Sequence, residues 1–277
     1  MISVFGSTGF IGSKFCSIYN RDTVRIERDS TTPLTSNILY LTSTTTNYNI
    51  FTDPHVDINT NLNLLIDVLE ECKKKDNIVF NFVSSWFVYG KIDHLPAAED
   101  SPCNPKGFYS ITKRAAEQLL ISYCETYDIN YRIFRLANVY GETDPKISQK
   151  RNALQYLINQ LSLDKDVDLY DDGSHIRDYM YVDDVCKALK LCMEKAPLNE
   201  ILNIGTGKPH SIREILEYSK KSLNSKGKLN SITPPTFHDI VQVKNMYLNV
   251  EKLSALGYTP EYNIWKGIEK SLERIQK

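Results

Sequence analysis

Residues 2–12 read Ile-Ser-Val-Phe-Gly-Ser-Thr-Gly-Phe-Ile-Gly, a short apolar run that leads into glycines at positions 6, 9 and 12. Glycine allows a tight turn at 6, a close approach of phosphates to the backbone at 9, and close packing of a helix on the strand at 12. The pattern predicts a strand, a turn and a helix whose N-terminus binds a dinucleotide pyrophosphate. We therefore expect cofactor contacts at Gly6, Thr8, Gly9, Phe10, Ile11 and Gly12.

The second predicted strand, residues 23–27, bears on the choice of cofactor. Glu27 or Asp29 would bind the ribose 2′-hydroxyl of NAD, whereas Arg28 would bind the 2′-phosphate of NADP. The alternation along the strand places Arg28 at its tip, which favours NADP. NAD and NADP both stay open at this point.

The connection after this strand is unusually short, because only nine residues separate Arg28 from the next strand near residue 38. A parallel crossover that contains a helix needs about a dozen residues. Residues 23–27 also alternate apolar and charged side chains, whereas a strand buried on both faces is continuously apolar. We therefore expect a sheet that is truncated after strand two, with that strand at an open edge.

The rest of the chain alternates strand-like and helix-like segments, which predicts an α/β fold with a Rossmann-like, doubly wound parallel sheet. Strands are predicted at 37–41, 78–84 and 131–137, helices at 56–74 and 108–126, and shorter elements at 167–170, 183–195, 201–204, 211–222 and 263–276. We expect a dinucleotide-binding domain over 1–145, with contributions from about 178–204. A smaller C-terminal substrate-binding lobe is expected over 146–277.

Composition argues against several classes of protein. The net charge is −1 and no basic stripe is present, so we expect neither a nucleic-acid partner nor a membrane partner. No apolar run approaches the roughly 20 residues that span a bilayer, and the chain opens directly on a strand, so a cytoplasmic location is expected. The six cysteines and five histidines lack metal-ligand spacing, and we expect no disulfide framework and no metal site.

Tyr109 and Lys113 stand four residues apart on a predicted helix, so their side chains share a face. A phenol is a poor base at its ordinary pKa of about 10, and a neighbouring ammonium lowers that pKa. The pair is thus a candidate acid/base for a substrate hydroxyl whose carbon loses hydride. Ser85 ends a strand, where this fold binds ligands, and is a candidate to orient the reacting oxygen. The same spacing at Tyr262 and Lys266 lies far from any strand end and is expected to be structural.

Seven motifs cover nearly the whole chain outside residues 28–37. They are Gly6-x-x-Gly9-x-x-Gly12, Ser84-Ser85 with Val88-Tyr89-Gly90, Tyr109-x-x-x-Lys113, Arg135-Leu136-Ala137-Asn138-Val139-Tyr140-Gly141, Arg177-Asp178-Tyr179-Met180-Tyr181-Val182-Asp183-Asp184, Asn203-Ile204-Gly205-Thr206-Gly207 and Leu256-Gly257-Tyr258-Thr259-Pro260. Together they resemble the extended short-chain dehydrogenase/reductases, the NAD-dependent epimerase/dehydratase group that acts on sugar nucleotides.

The resemblance implies roles for the matching residues. Tyr109 is the implied acid/base, Lys113 tunes it and bonds the nicotinamide ribose, and Ser85 orients the substrate oxygen. Further cofactor contacts are implied at Leu41, Thr42, Ser43 and Asn59. Binding of a nucleoside-diphosphate sugar is implied at Ser85, Trp86, Asn138, Asn152 and Arg177, with Arg177 on the diphosphate. A homodimer through the helices at 56–74 and 108–126 is also implied.

The resemblance leaves the reaction open. In the family's 4,6-dehydratases an Asp-Glu pair follows the catalytic hydroxyl, but here Trp86 and Phe87 occupy those places and neither transfers a proton. An epimerase, which oxidises a sugar carbon (C4 is expected) and returns the hydride to its other face, is the first expectation. The alternative is an NADPH-dependent 4-ketoreductase, which Arg28 and the truncated sheet favour. A non-catalytic cofactor-binding sensor is a remote alternative, because such a protein is expected to lose the Tyr, Lys and Ser set.

Overall fold

A computed structural model describes residues 1–141 and 152–275. The strands are β1 (Ile2–Phe5), β2 (Thr23–Arg25), β3 (Asn37–Tyr40), β4 (Val79–Ser85), β5 (Asn130–Leu136), β6 (Asn138–Tyr140), β7 (Val167–Tyr170), β8 (Ile176–Tyr181), β9 (Glu200–Ile204), β10 (Pro209–Ser211) and β11 (Leu229–Ile232). The α-helices are α1 (Phe10–Ile18), α2 (His55–Ile58), α3 (Leu64–Cys72), α4 (Phe108–Thr126), α5 (Ala153–Ser162), α6 (Val182–Lys195), α7 (Ile212–Leu223), α8 (Thr236–Val241), α9 (Glu251–Ala255) and α10 (Ile264–Ile275). A π-helical turn, Asn59–Asn63, joins α2 to α3.

The central sheet contains six parallel strands in the order β2-β1-β3-β4-β5-β9. Successive residues of a strand point to opposite faces, and in this sheet both faces are covered. Val4 and Phe134 belong to one core, which includes residues of α1 and α6. Phe5 and Ile133 belong to the other, which includes residues of α3 and α4. The predicted doubly wound parallel sheet is confirmed.

Strand β2 lies at the edge of this sheet and pairs with β1. No helix lies between Arg25 and Asn37, so the prediction of a sheet truncated after strand two, with β2 at the edge, is confirmed. A ribbon of residues 26–36 takes the place of the usual helix. The buried Ser3 hydroxyl accepts hydrogen bonds from the N–H groups of Leu34 at 3.0 Å and Thr35 at 2.8 Å, which hold this 26–36 ribbon against the sheet.

The prediction that Arg28 lies at the tip of strand two was wrong. The strand ends at Arg25, and Arg28 is an exposed residue of the 26–36 ribbon. The Ile26 N–H still bonds the Val4 carbonyl at 3.1 Å, but the chain then leaves the edge because it has to reach β3 on the other side of β1. Arg25 is therefore the cation at the strand end, and its Nη1 donates to the Ser7 carbonyl at 3.0 Å.

Two small sheets belong to the distal half of the chain. In one, β8 pairs with β6 and β10, and in the other β7 pairs with β11. Asp178 of β8 is buried and accepts hydrogen bonds from the N–H groups of Thr206 at 3.0 Å and Gly207 at 2.9 Å. A Cβ on Gly205 would lie 2.5 Å from Asp178 Oδ2, so this turn requires glycine. The acidic motif on β8 thus fastens the small sheet to the loop after β9.

Several predicted boundaries agree with the structure, including the cap of α7, where Ser211 Oγ accepts from the Glu214 N–H at 3.2 Å. The expected domain boundary at residues 145–146 and the predicted last residue of the final helix, 276, lie outside the described residues. Within residues 1–141 and 152–275, no helix is both long enough and apolar enough to cross a membrane. The cytoplasmic location stays a prediction.

Candidate active site

A cavity of about 1470 Å³ lies at the carboxyl ends of the central strands, between them and the distal half of the chain. Every residue predicted to touch cofactor or substrate lines it: Gly6, Thr8, Gly9, Phe10, Ile11, Gly12, Arg28, Leu41, Thr42, Ser43, Asn59, Ser85, Trp86, Tyr109, Lys113, Asn138, Asn152 and Arg177. The fold thus brings together residues that are far apart in sequence, at the sheet edge where α/β proteins bind ligands. Their roles stay predictions.

The glycine loop has the geometry expected from its sequence. Gly6 has a φ of +75°, in the left-handed region that favours glycine. A Cβ on Gly12 would lie 2.2 Å from the Gly6 carbonyl oxygen, so only glycine lets α1 begin this close to the turn. The N-terminus of α1 therefore lies at the cavity wall, where its N–H groups and partial positive charge suit an anion.

Tyr109 lies in the first turn of α4, and Ser85 is the last residue of β4. Burial raises the pKa of Tyr109 to about 12, the nearby Ser85 side chain opposes this, and the Asp57 carboxylate adds to the rise. The helix and the strand end thus place the phenol near the Ser85 hydroxyl, which accepts a hydrogen bond from the Phe87 N–H at 3.3 Å. This is the arrangement needed for two groups that share one substrate oxygen.

Lys113 follows one turn later on α4 and is buried. Its Nζ donates to the Val83 carbonyl at 2.7 Å and lies 4.1 Å from the centroid of the Phe82 ring. Burial lowers the pKa of Lys113 to about 7, although the Glu117 carboxylate opposes this shift. The side chain is therefore close to losing its charge at neutral pH.

The expected lowering of the Tyr109 pKa by Lys113 is absent from this structure. The Lys113 amine bonds the backbone of β4, and burial moves the two pKa values in opposite directions, to about 12 and about 7. Both shifts favour the neutral form, because burial penalises the charged one. Between those two values the site therefore holds a neutral phenol and a neutral amine.

A buried polar network, missed by the sequence reasoning, joins the segment after β3 to helix α4. Asn61 accepts a hydrogen bond from Ser43 Oγ at 2.9 Å and donates to Thr112 Oγ1 at 2.9 Å. Asp57 accepts a hydrogen bond from the Thr44 hydroxyl. The run of Thr, Ser and Asn after β3 was the signal, because so many hydroxyl and amide groups need partners when buried.

Arg177 is 9% exposed and lines the far end of the cavity. Its guanidinium donates to the carbonyl oxygens of Ile176 at 2.8 Å and Lys244 at 2.5 Å and lies 5.1 Å from the Trp86 ring centroid. Burial lowers its pKa to about 10. No carboxylate among the described residues forms an ion pair with Arg177, and a buried cation of this kind is costly until an anion binds.

Trp86 and Phe87 form an apolar wall beside the phenol. Their rings stack with centroids 3.8 Å apart, and the Phe87 ring meets the Tyr109 ring edge-on at 6.1 Å. Stacked aromatic rings therefore occupy the two positions directly after Ser85, where the sequence has no proton-transferring pair. Both side chains line the cavity beside the phenol.

The three predicted asparagines have different surroundings. Asn138 donates to the Asp178 carbonyl at 3.2 Å, and Asn152 has a φ of +52° at the start of α5. Asn59 is exposed on the π-helical turn and accepts from Asn63 Nδ2 at 2.9 Å. The buried polar residues near Asn59 are Asp57 and Asn61, which lie two positions before and after it in the sequence.

The second Tyr-x-x-x-Lys sequence does not line the cavity. The Tyr262 ring packs 4.7 Å from Tyr181, and its hydroxyl accepts from Lys270 Nζ at 2.8 Å. Lys266 is exposed and lies over the Tyr262 ring. This pair has a structural setting, as expected from its position in the sequence.

The sequence model of the "NAD dependent epimerase/dehydratase family" matches residues 38–205 of the chain. The chain belongs to this family. A relative from Methanocaldococcus jannaschii, named "Putative UDP-glucose 4-epimerase", is 33% identical over 220 residues, which are 79% of this chain and 70% of the relative. The resemblance drawn from the motifs is confirmed.

Solved structures of this family share the fold over nearly the whole chain. The UDP-glucose 4-epimerase of Thermotoga maritima, solved with UDP-glucose, has a TM-score of 0.89 at 24% identity and covers 99% of this chain and 98% of its own. The UDP-glucuronic acid 4-epimerase of Bacillus cereus, solved with UDP-glucuronic acid and NAD, has a TM-score of 0.87 at 24% identity and the same coverage. The predicted fold class is confirmed.

Proposed function

We propose that this epimerase/dehydratase-family protein is a nucleoside-diphosphate-sugar 4-epimerase with Tyr109 as its acid/base. One observation carries the proposal: Tyr109, Ser85 and Lys113 line the same cavity as the glycine loop and the buried cation of Arg177. Such a cavity has places for a dinucleotide, a reacting hydroxyl and a diphosphate. The relatives named as UDP-sugar 4-epimerases support this assignment.

The residues around the glycine loop fit a nicotinamide dinucleotide. The turn at Gly6 and the start of α1 after Gly9 suit the pyrophosphate, and Lys113 lies where its amine suits the nicotinamide ribose. Once bound, the cofactor would supply a reversible hydride acceptor. We propose NAD for the epimerase, because epimerases of the same fold were solved with NAD. The cofactor has to stay bound, since the same hydride returns within one turnover. Residues 1–145 and about 178–204 are assigned to cofactor binding, and 146–277 mainly to the substrate.

Four side chains would have separate roles in the reaction. Tyr109 takes the proton from the C4 hydroxyl and later returns it, while Ser85 holds the same oxygen by a hydrogen bond. Proton removal requires the Tyr109 pKa to fall from about 12. A Lys113 ammonium that leaves the Val83 carbonyl and turns toward the phenol would produce that fall. Arg177 pairs with the diphosphate and fixes the sugar near Tyr109.

A second candidate, an NADPH-dependent 4-ketoreductase, rests on a specific observation. Arg25 and Arg28 both line the cavity beside the 26–36 ribbon, where cations suit the 2′-phosphate of NADP. Glu27 and Asp29 line it as well and suit the ribose hydroxyl of NAD. A reductase would convert one NADPH to NADP⁺ for each ketone it reduces, whereas an epimerase would leave the separate amounts of oxidised and reduced cofactor unchanged.

The two candidates give different results with a panel of UDP-sugars and 4-keto sugar nucleotides. Epimerised product without added cofactor supports the epimerase, and turnover of only the 4-keto substrates with loss of NADPH supports the reductase. We expect Tyr109→Phe to lower turnover at least about a hundredfold, because general acid/base catalysis contributes that much. Tyr262→Phe, the matched control, should keep full turnover. Full activity of a folded Tyr109→Phe protein would overturn the assignment of the acid/base.

We also propose a homodimer, because two neighbouring helices carry exposed apolar side chains. On α4, Phe108, Ile111 and Leu119 follow the three- and four-residue spacing of one helical stripe and are 36–45% exposed. Ile66 on α3 is 38% exposed. Two copies that pack these faces together would form a four-helix interface.

A further inference from the structure

Two histidines with no predicted role lie beside Arg177 at the substrate end of the cavity. His175 stands just before β8 and His238 in α8, and both line the cavity. Contacts link the three: the Lys244 carbonyl accepts from Arg177, the Lys244 amine and His175 approach the same Asp171 carboxylate, and the His238 ring packs on Tyr170, the residue before Asp171. Three side chains from two segments, each able to carry a positive charge, therefore lie in one region of the cavity.

Each histidine has other neighbours that hold it in position. His175 Nε2 lies 2.9 Å from Asp171 Oδ2, an oxygen that Lys244 Nζ also approaches at 3.5 Å. The His238 ring packs 4.6 Å from the Tyr170 ring, and its Nδ1 lies 3.2 Å from the Tyr48 hydroxyl.

The two rings have charged neighbours of both signs. Burial and the charge of Arg177 lower the pKa of His175 below 6.5, with a smaller opposing effect from Asp171. Burial, His175 and Arg177 lower the pKa of His238 below 6.5, and Asp239 and Asp171 oppose this. Without an anion in the cavity, both imidazoles are thus mainly neutral at neutral pH, and Arg177 is the principal positive charge of the cluster.

We propose that His175 and His238 act with Arg177 as a protonation-dependent clamp on the diphosphate of the substrate. The inference rests on the proposed nucleotide-sugar function. The diphosphate of a nucleotide sugar carries two negative charges, and one guanidinium compensates for only one of them. An anion beside an imidazole favours its charged form, so the bound complex holds a proton that the free protein lacks.

The direction of the pH dependence follows from this proton uptake. The histidine pKa is higher in the complex than in the free protein, so the extra affinity is complete below the free-state pKa and is lost as the pH rises through the bound-state pKa. One proton taken up gives at most about a tenfold change in affinity per pH unit. The sugar-linked diphosphate has no ionisation of its own near neutral pH, so the dependence belongs to the protein.

Titration calorimetry of the purified protein with UDP-glucose, from about pH 6 to about pH 8, tests the clamp. We expect affinity to fall by about threefold to tenfold over this range, and heats in buffers of different ionisation enthalpy to reveal proton uptake. The double variant His175→Gln with His238→Gln should bind more weakly at low pH and show a flat profile. Each single variant should keep part of the dependence, so the test survives if the double variant does not fold. His210→Gln is the matched control, since His210 pairs with Glu214 outside the cavity.

The outcomes separate the clamp from the function on which it rests. Binding of UDP-glucose with no proton uptake, or a pH dependence that the double variant retains, overturns the clamp and leaves the proposed function standing. Uridine, which lacks phosphates, should bind without proton uptake, and uptake with uridine would also overturn the clamp. If the wild-type protein binds neither UDP-glucose nor dTDP-glucose at any pH, both proposals fall.

Discussion

The burial of Lys113 makes the stability of the folded protein depend on pH. Its pKa falls from 10.5 to about 7 on burial, so the unfolded chain binds this proton more tightly than the folded protein does. Between those two values the folded amine is neutral while the unfolded chain is still protonated. Raising the pH within this window therefore favours the folded state at this residue.

We expect the wild-type protein to gain thermal stability relative to Lys113→Met as the pH rises from about 7 to about 10, because the methionine variant lacks this titration. Thermal unfolding of both proteins across the window measures the effect. Lys266→Met is the control, since Lys266 is the exposed lysine of the second Tyr-x-x-x-Lys sequence and its stability difference should stay constant. Parallel pH profiles for Lys113→Met and the wild type would contradict the prediction.

A buried ion pair joins helix α4 to strand β5. Arg135 Nε and Nη2 donate to the two Glu117 carboxylate oxygens at 3.0 and 2.8 Å, and both residues are 1% exposed or less. Burial raises the pKa of Glu117, but the hydrogen bonds and charge of Arg135 outweigh it and the net shift is downward. The pair fixes the helix that carries Tyr109 and Lys113 to the central sheet.

Glu117→Gln should cost about 3–5 kcal/mol of unfolding free energy, because it leaves the Arg135 charge buried without its partner. Denaturant unfolding followed by circular dichroism gives this value. Lys252→Ala, which removes an exposed ion pair with Glu200, is the matched control and should cost no more than about 1 kcal/mol. Similar costs for the two variants would mean that the buried pair does not hold α4 in place.

Among the helices and strands, those with a clear pattern of buried residues were predicted best from the sequence. Strands β1 and β4 and helix α4 were predicted to within one residue, since buried parallel strands and amphipathic helices have clear patterns. Strands β6 and β10, of three residues each, were missed because pairing across the fold defines them. The residues that line the cavity were predicted from motifs. The hydrogen bond from the Lys113 amine was not, because its acceptor is the Val83 backbone carbonyl, and sequence spacing does not reveal a backbone acceptor.

At the scale of the whole molecule, the proposed dimer would contain two candidate active sites. We expect Ile111→Glu with Leu119→Glu to yield monomers, because four charges would be buried between the paired α4 helices. Light scattering coupled to size exclusion measures the mass. Ile240→Glu on α8, a 60% exposed position that is not part of the proposed interface, should leave the dimer intact. A wild-type protein that is monomeric at micromolar concentration would refute the interface.

The 26–36 ribbon affects which fluorescent cofactor analogues the protein should accept. Where a helix usually forms a second wall, the cleft here is bordered by a lone edge strand and a stretch of chain without regular structure. A dinucleotide seated on the glycine loop would direct its purine toward that border. Analogues that carry a bulky fluorophore on the purine should therefore be accepted, and their polarisation would follow cofactor exchange in real time.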